Sequence, residues 1–315
     1  MRAAPGSFRH WTGAVARAAV GSPRRRTLTA LVAGVATALA VVGGSAAAAF
    51  TATTASQLTT VNTTTYPCFT RSPADSPYFY WAYNEASGTS FTDSSGNNRG
   101  AVMLSGTRTA GTCIANASPV FTTTATSGGA FLTYTTAPPT DITIETWFKT
   151  AANGTTGGGR MIGYGNMPNG SSTTYDRVAY MDNAGHVCFE MNFGNPASIC
   201  TGSTYNDGTW HLVDVSVVGG NAQGARVLYI DGVSQATGVS ARTSSSYGGY
   251  WRVGSDAVGD LQTAGNSLNT ASGTSANSGP TNTSWPGSLD NTAVYSAILT
   301  QTQVTAHFNN SKNAR

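Results

Sequence analysis

Cleaving a glycosidic bond takes two carboxyl groups, roughly 5 Å apart when configuration is retained. The chain offers three glutamates, Glu85, Glu145 and Glu190, each in a separate segment. Trp147 and Lys149 stand two and four residues beyond Glu145 where further acids would be needed, so Glu145 reads as a polar strand residue. Asp176 and Asp182 could serve as acid and base only if folding set them face to face. Serine catalysis calls for Gly-x-Ser-x-Gly on a strand-to-helix elbow, and the sequence contains none. His186, His211 and His307 lack the paired spacing of a metal motif and read as structural. The four cysteines, Cys68, Cys113, Cys188 and Cys200, contain no Cys-x-x-Cys, so zinc is not expected. An even number in an exported chain predicts two disulfides. Three pairings are possible, and Cys188 with Cys200 plus Cys68 with Cys113 is preferred. The first pair sits on neighbouring strand-like runs, and the second would staple the N-terminal segment to the body.

The elements that must position these groups are short. Charged residues make up only 10% of the 315, and there are 37 glycines, a composition suited to strands joined by polar turns. Six arginines precede residue 50 and no acid does; 11 basic against 14 acidic residues remain beyond it, which argues against a nucleic-acid surface. Residues 1–49 read as a secretory signal, with arginines before an uncharged run from 28 to 49 that closes in alanines. The alternative is an uncleaved N-terminal membrane anchor. Residues 50–75 are a Thr-rich linker, and 76–315 form the body.

Eleven apolar runs punctuated by Gly, Asn and Asp lie between 78 and 295. In one, Ile142, Ile144, Thr146 and Phe148 alternate with Thr143, Glu145 and Trp147, the pattern of a half-buried strand. Turns are signalled at 182–185 and at Asp231-Gly232. Together they predict an all-β, two-sheet antiparallel sandwich. The Asn/Ser/Gly/Thr-rich stretch 262–284 reads as a surface insertion. One short C-terminal helix is predicted, with Thr300 as N-cap, Gln303 as its capping-box partner, Leu299 and Val304 as a staple, and Phe308 on the Val304 face.

The order of these pieces resembles the laminin-G-like jelly rolls of the concanavalin A-like lectin and glucanase superfamily. The resemblance is carried by the turn Asp93-Ser94-Ser95-Gly96-Asn97, the strand Ile142-Thr143-Ile144-Glu145-Thr146-Trp147-Phe148-Lys149 and the step Asp207-Gly208-Thr209-Trp210-His211. It continues through Leu228-Tyr229-Ile230-Asp231-Gly232 and the closing segment from Trp285 to Tyr295. It implies a jelly-roll fold from residue 76 onward. Glucanases of that superfamily carry Glu-x-Asp-x-x-Glu on one strand, which is not found here, so the resemblance implies binding without catalysis. Asp207-Gly208-Thr209-Trp210 is similar to a sialidase Asp-box, but its spacing differs. Related jelly rolls also hold a structural calcium at the rim; Asp93, Asn97 and Asp290 are the oxygen donors that would supply it, although Asp93 and Asn97 could equally just make a turn.

A sugar site needs an aromatic platform and planar polar groups. The loop-borne candidates are Tyr164, Tyr175, Arg177, Tyr247 and Tyr250, several of which could instead be packing residues. The expected function is a secreted or cell-surface binding module for a polysaccharide or glycoconjugate. A structural or adhesion protein with a surface-protein partner is the alternative, and a divergent glycoside hydrolase a remote one. A membrane would be touched only through an uncleaved N-terminus.

Overall fold

The computed structural model describes residues 75–85, 87–110, 119–122, 129–132, 137–150, 158–191, 198–219, 224–239, 246–259, 261 and 279–312. The chain divides into two units, Met1–Thr59 and Thr60–Arg315, and every described residue belongs to the second. The predicted signal, the linker up to residue 74, Cys68, Cys113 and residues 262–278 lie outside the described residues. Among the described residues no helix is long and apolar enough to cross a membrane.

Two antiparallel sheets form the body. In spatial order the first holds β14 (Val233–Val239), β13 (Ala225–Ile230), β12 (Trp210–Val217), β7 (Ile142–Thr150), β16 (Gly287–Tyr295), β5 (Pro119–Thr122) and β4 (Thr107–Ala110), with β1 (Phe79–Trp81) also paired to β16. The second holds β11 (Ile199–Thr204), β10 (His186–Glu190), β9 (Tyr175–Met181), β8 (Gly159–Gly165), β15 (Tyr250–Val253), β6 (Gly129–Leu132), β3 (Ala101–Ser105) and β2 (Ser90–Phe91). Among the described residues the single helix, α1, runs over Gln301–Lys312. Five strands, β2, β4, β5, β11 and β14, were not among the eleven apolar runs. They are short or polar; β14, for example, reads Val-Ser-Gln-Ala-Thr-Gly-Val, and pairing rather than hydrophobicity defines it.

The core lies between the sheets. Phe79 and Trp81 stack at 4.3 Å, and Trp251 meets Phe79 edge-on at 6.0 Å. Phe148, Trp285, Val215 and Leu228 complete the middle. The β13–β14 hairpin turns on Asp231 and Gly232, both at positive φ, the backbone that lets a two-residue turn match strand twist. The β9–β10 turn is held by Asp182, whose Oδ1 accepts the N–H groups of Ala184 and His186 at 2.9 Å. Cys188 and Cys200 are cross-strand partners in β10 and β11 and form the predicted disulfide.

One expectation needs correction. β7 is not half-buried; eight of its nine residues are buried, because α1 covers the outer face of the first sheet. Leu299 and Val304 pack with Tyr80, Ala293 and Tyr295, and Phe308 stacks on Trp147 at 5.8 Å. The helix start has the predicted capping box: Gln303 Oε1 accepts the Thr300 N–H and hydroxyl at 2.9 Å, and Gln303 N–H donates to Thr300 Oγ1 at 3.3 Å.

Candidate functional site

The outer face of the second sheet is built from alternate residues of its strands. One cross-strand row runs Gly163, Arg252, Phe131, Val102, Ser90; the next includes Tyr175, Gly165 and Tyr250. The two glycines open a trough, since a Cβ on Gly163 would collide with the Arg160 guanidinium and one on Gly165 with Ser172 and Asp256. Asp256 organises what fills it. Its carboxylate accepts Ser172 N–H and Oγ–H, both at 2.8 Å, and lies 3.4 Å from Arg160 and 3.8 Å from Arg252. Burial lowers the Arg252 pKa, and the Asp256 charge opposes that shift. Beyond Asp256 the chain continues over the same face, where Ala257, Val258 and Leu261 pack on Tyr175, Val178, Tyr180 and Cys188. This half of the face is closed.

The half formed by β2, β3, β6 and β15 keeps partial access. Phe131, Tyr250 and Val102 are half-buried and Ser90 is exposed. Phe131 and Tyr250 meet edge-to-face, centroids 5.9 Å apart. Met167, 39% exposed, belongs to the neighbouring loop, and its carbonyl accepts Arg252 Nη1–H at 2.9 Å. A phenylalanine beside a tyrosine presents both an apolar face and, through the tyrosine hydroxyl, hydrogen-bonding capacity.

All five residues predicted to bind sugar gather at one end of β8, β9 and β15, but they do not form one surface. Tyr164 turns into the core; its hydroxyl donates to the Tyr247 carbonyl at 3.1 Å, and the two rings lie 5.2 Å apart. Burial raises the Tyr164 pKa. Arg177, at positive φ in β9, is buried and donates to Asp176 Oδ2 at 2.7 Å. Tyr175 is buried beneath Arg160, 5.4 Å from its ring centroid. Tyr247 and Tyr250 retain exposure. Phe131 was missed, although it lies in a run recognised as a strand; which face a strand residue takes depends on the partner strands.

The predicted calcium donors are engaged locally. Asp93 Oδ1 accepts the N–H groups of Tyr80 and Ser95 at 2.9 Å, and Oδ2 accepts that of Arg99 at 2.8 Å. The Asn97 amide donates to the Pro77 and Tyr78 carbonyls. Asp290 is buried in β16, accepts Asn291 N–H at 2.8 Å, and burial holds its carboxyl well above the usual carboxylate range. Asp176 and Asp182 flank opposite ends of β9, six residues or about 20 Å apart along an extended strand; they do not face one another.

A second titratable group lies under α1. Glu145 of β7 and Asp214 of β12 are direct cross-strand partners. His307 of α1 places Nδ1 2.7 Å from Glu145 Oε2 and Nε2 2.7 Å from Asp75 Oδ2. Glu145, Asp214 and His307 are buried, and one ligand atom from each lies within 4.8 Å of the others, so the trio could hold a metal ion. No sequence motif signals it, because the three residues come from three elements.

The family described as Laminin_G_3, concanavalin A-like lectin/glucanases superfamily, matches residues 123–305. No curated protein matches the chain. Among solved structures, the binding domain of Paraclostridial mosquitocidal protein 1 is similar with a TM-score of 0.51 and 14% identity, covering 75% of this chain and 52% of that one. The Trypanosoma rangeli sialidase in complex with sialic acid is similar with a TM-score of 0.50 and 11% identity, covering 78% and 35%. The chain therefore spans about half of the first and a third of the second, and at these identities the likeness shows the fold alone.

Proposed function

Because the chain belongs to the concanavalin A-like lectin/glucanases superfamily, we propose that it is a non-catalytic binding module, secreted or held at the cell surface, that takes a polysaccharide or glycoconjugate on the open half of its second sheet. The observation that carries this reading is the half-buried Phe131–Tyr250 pair on the accessible half of the second sheet. A pyranose offers C–H groups to an aromatic face and hydroxyls to polar neighbours, and aromatic side chains combine a large apolar area with, in tyrosine, a polar tip. The carboxyls agree with binding rather than hydrolysis, since Asp176 is tied to Arg177 and Asp182 to a hairpin turn.

A glycan array followed by titration of the best ligand tests this, run with and without calcium. Phe131→Ala and Tyr250→Ala should each weaken binding about tenfold or more, as expected for loss of roughly 1.4 kcal/mol, with little change in melting temperature. The proposal fails if no polysaccharide binds in either condition, if both variants bind like the parent, or if the chain only self-associates through another surface.

A further inference from the structure

We propose that Glu145, Asp214 and His307 form a buried site for one divalent transition cation, of the zinc class, that fastens the C-terminal helix to the first sheet. The site is independent of the glycan surface, which lies on the outer face of the other sheet. Carboxylate and imidazole are both zinc ligand types, and three of them leave a fourth position open; the imidazole disfavours calcium, which prefers oxygen throughout. The donors come from β7, β12 and α1 and are 0%, 0% and 2% exposed, with the Tyr295 ring 5.5 Å from that of His307. Ligands about 2.1 Å from a shared ion sit about 3.4 Å apart; the 2.7 Å pair of His307 Nδ1 and Glu145 Oε2 would open by about 0.7 Å, and a separation at the 4.8 Å limit would close by about 1.4 Å through side-chain rotation.

Two further features point to a cation. Asp75 Oδ2 lies 2.7 Å from His307 Nε2, the outer carboxylate that places the imidazole proton on the far nitrogen and turns the Nδ1 lone pair toward the metal. Glu145 and Asp214 also stand in direct cross-strand register, where like charges destabilise a sheet. Metal binding would then be coupled to helix docking.

The test uses the whole chain without a polyhistidine tag, stripped with a chelator and titrated with Zn2+ by calorimetry and with Co2+ by visible absorption. One equivalent should bind, a d–d band of low-symmetry cobalt should appear, and zinc should raise the melting temperature by about 3–8 °C. Asp214→Asn, nearly isosteric, and His307→Gln should each weaken binding at least tenfold and abolish the cobalt band. Glycan binding by Asp214→Asn should equal that of the parent, so failure here is distinguishable from failure of the glycan reading. The site is refuted if the folded parent takes up no stoichiometric ion, or if Asp214→Asn binds zinc and cobalt like the parent; the group is then an imidazolium clamp held by protons.

Discussion

Each of the described histidines is held by acids. His186 leans on Asp182 at 3.0 Å, His307 lies between Glu145 and Asp75, and His211 places Nδ1 2.8 Å from Asp231 and Nε2 3.3 Å from Asp207. For His211, burial alone would lower the pKa, but the hydrogen bonds and charges of Asp231 and Asp207 outweigh it and the value is raised. A folded state with a raised imidazole value binds the proton more tightly than the unfolded chain. Its stabilising contribution is therefore complete below the ordinary value of 6.5 and disappears as pH climbs through the raised folded value. The melting-temperature gap between the parent and His211→Gln should accordingly be widest below the ordinary value of 6.5 and shrink as pH rises above it. A gap that stays constant in thermal melts across that rise would contradict this account.

At the scale of elements, α1 matters more than its length suggests, because it turns the outer face of the first sheet into interior. Its first turn rests on the reciprocal Thr300–Gln303 bonds, and Gln301 and Thr305 both donate to the Gly232 carbonyl at the β13–β14 turn. Thr300→Ala should cost about 1 kcal/mol in urea unfolding at fixed pH; an unchanged midpoint would show that side-chain packing alone holds the helix. The capping box was legible in sequence because it depends on residues three apart. The Glu145–His307 contact was not, because its partners are 162 residues apart and only docking of the helix joins them. The same limit applies to Gly163 and Gly165. That Arg160, Ser172 and Asp256 would occupy the space above them could not be read from the sequence.

Across the whole molecule, the two outer faces are treated differently. The first sheet is covered by a helix. The second is closed at one end by the chain after β15 and left accessible at the other, which is where the proposed ligand surface lies. Both depend on a rigid middle, in which Trp251 of the second sheet touches Phe79 of the first at 6.0 Å and Tyr164 at 5.5 Å. Trp251→Ala should destabilise the fold by about 3–5 kcal/mol, a large share of the roughly 5–15 kcal/mol available to a domain. Denaturant unfolding would register it as a lower midpoint, and a loss below about 1 kcal/mol would mean that the sheets do not share one core.

Sequence by itself determined what is local or periodic. The alternation in β7, the turns at Asp182 and Asp231-Gly232, the Cys188–Cys200 link and the helix cap all follow from neighbours along the chain, and their order identified a two-sheet sandwich. Tertiary structure decided which side of each strand water reaches. Tyr164, Tyr175 and Arg177 carry side chains suited to sugar recognition, yet pairing and loop packing bury them, while Phe131 and Tyr250 keep partial exposure. Accessibility is set by whatever lies across from a residue, and that partner is brought up by folding from a distant part of the chain.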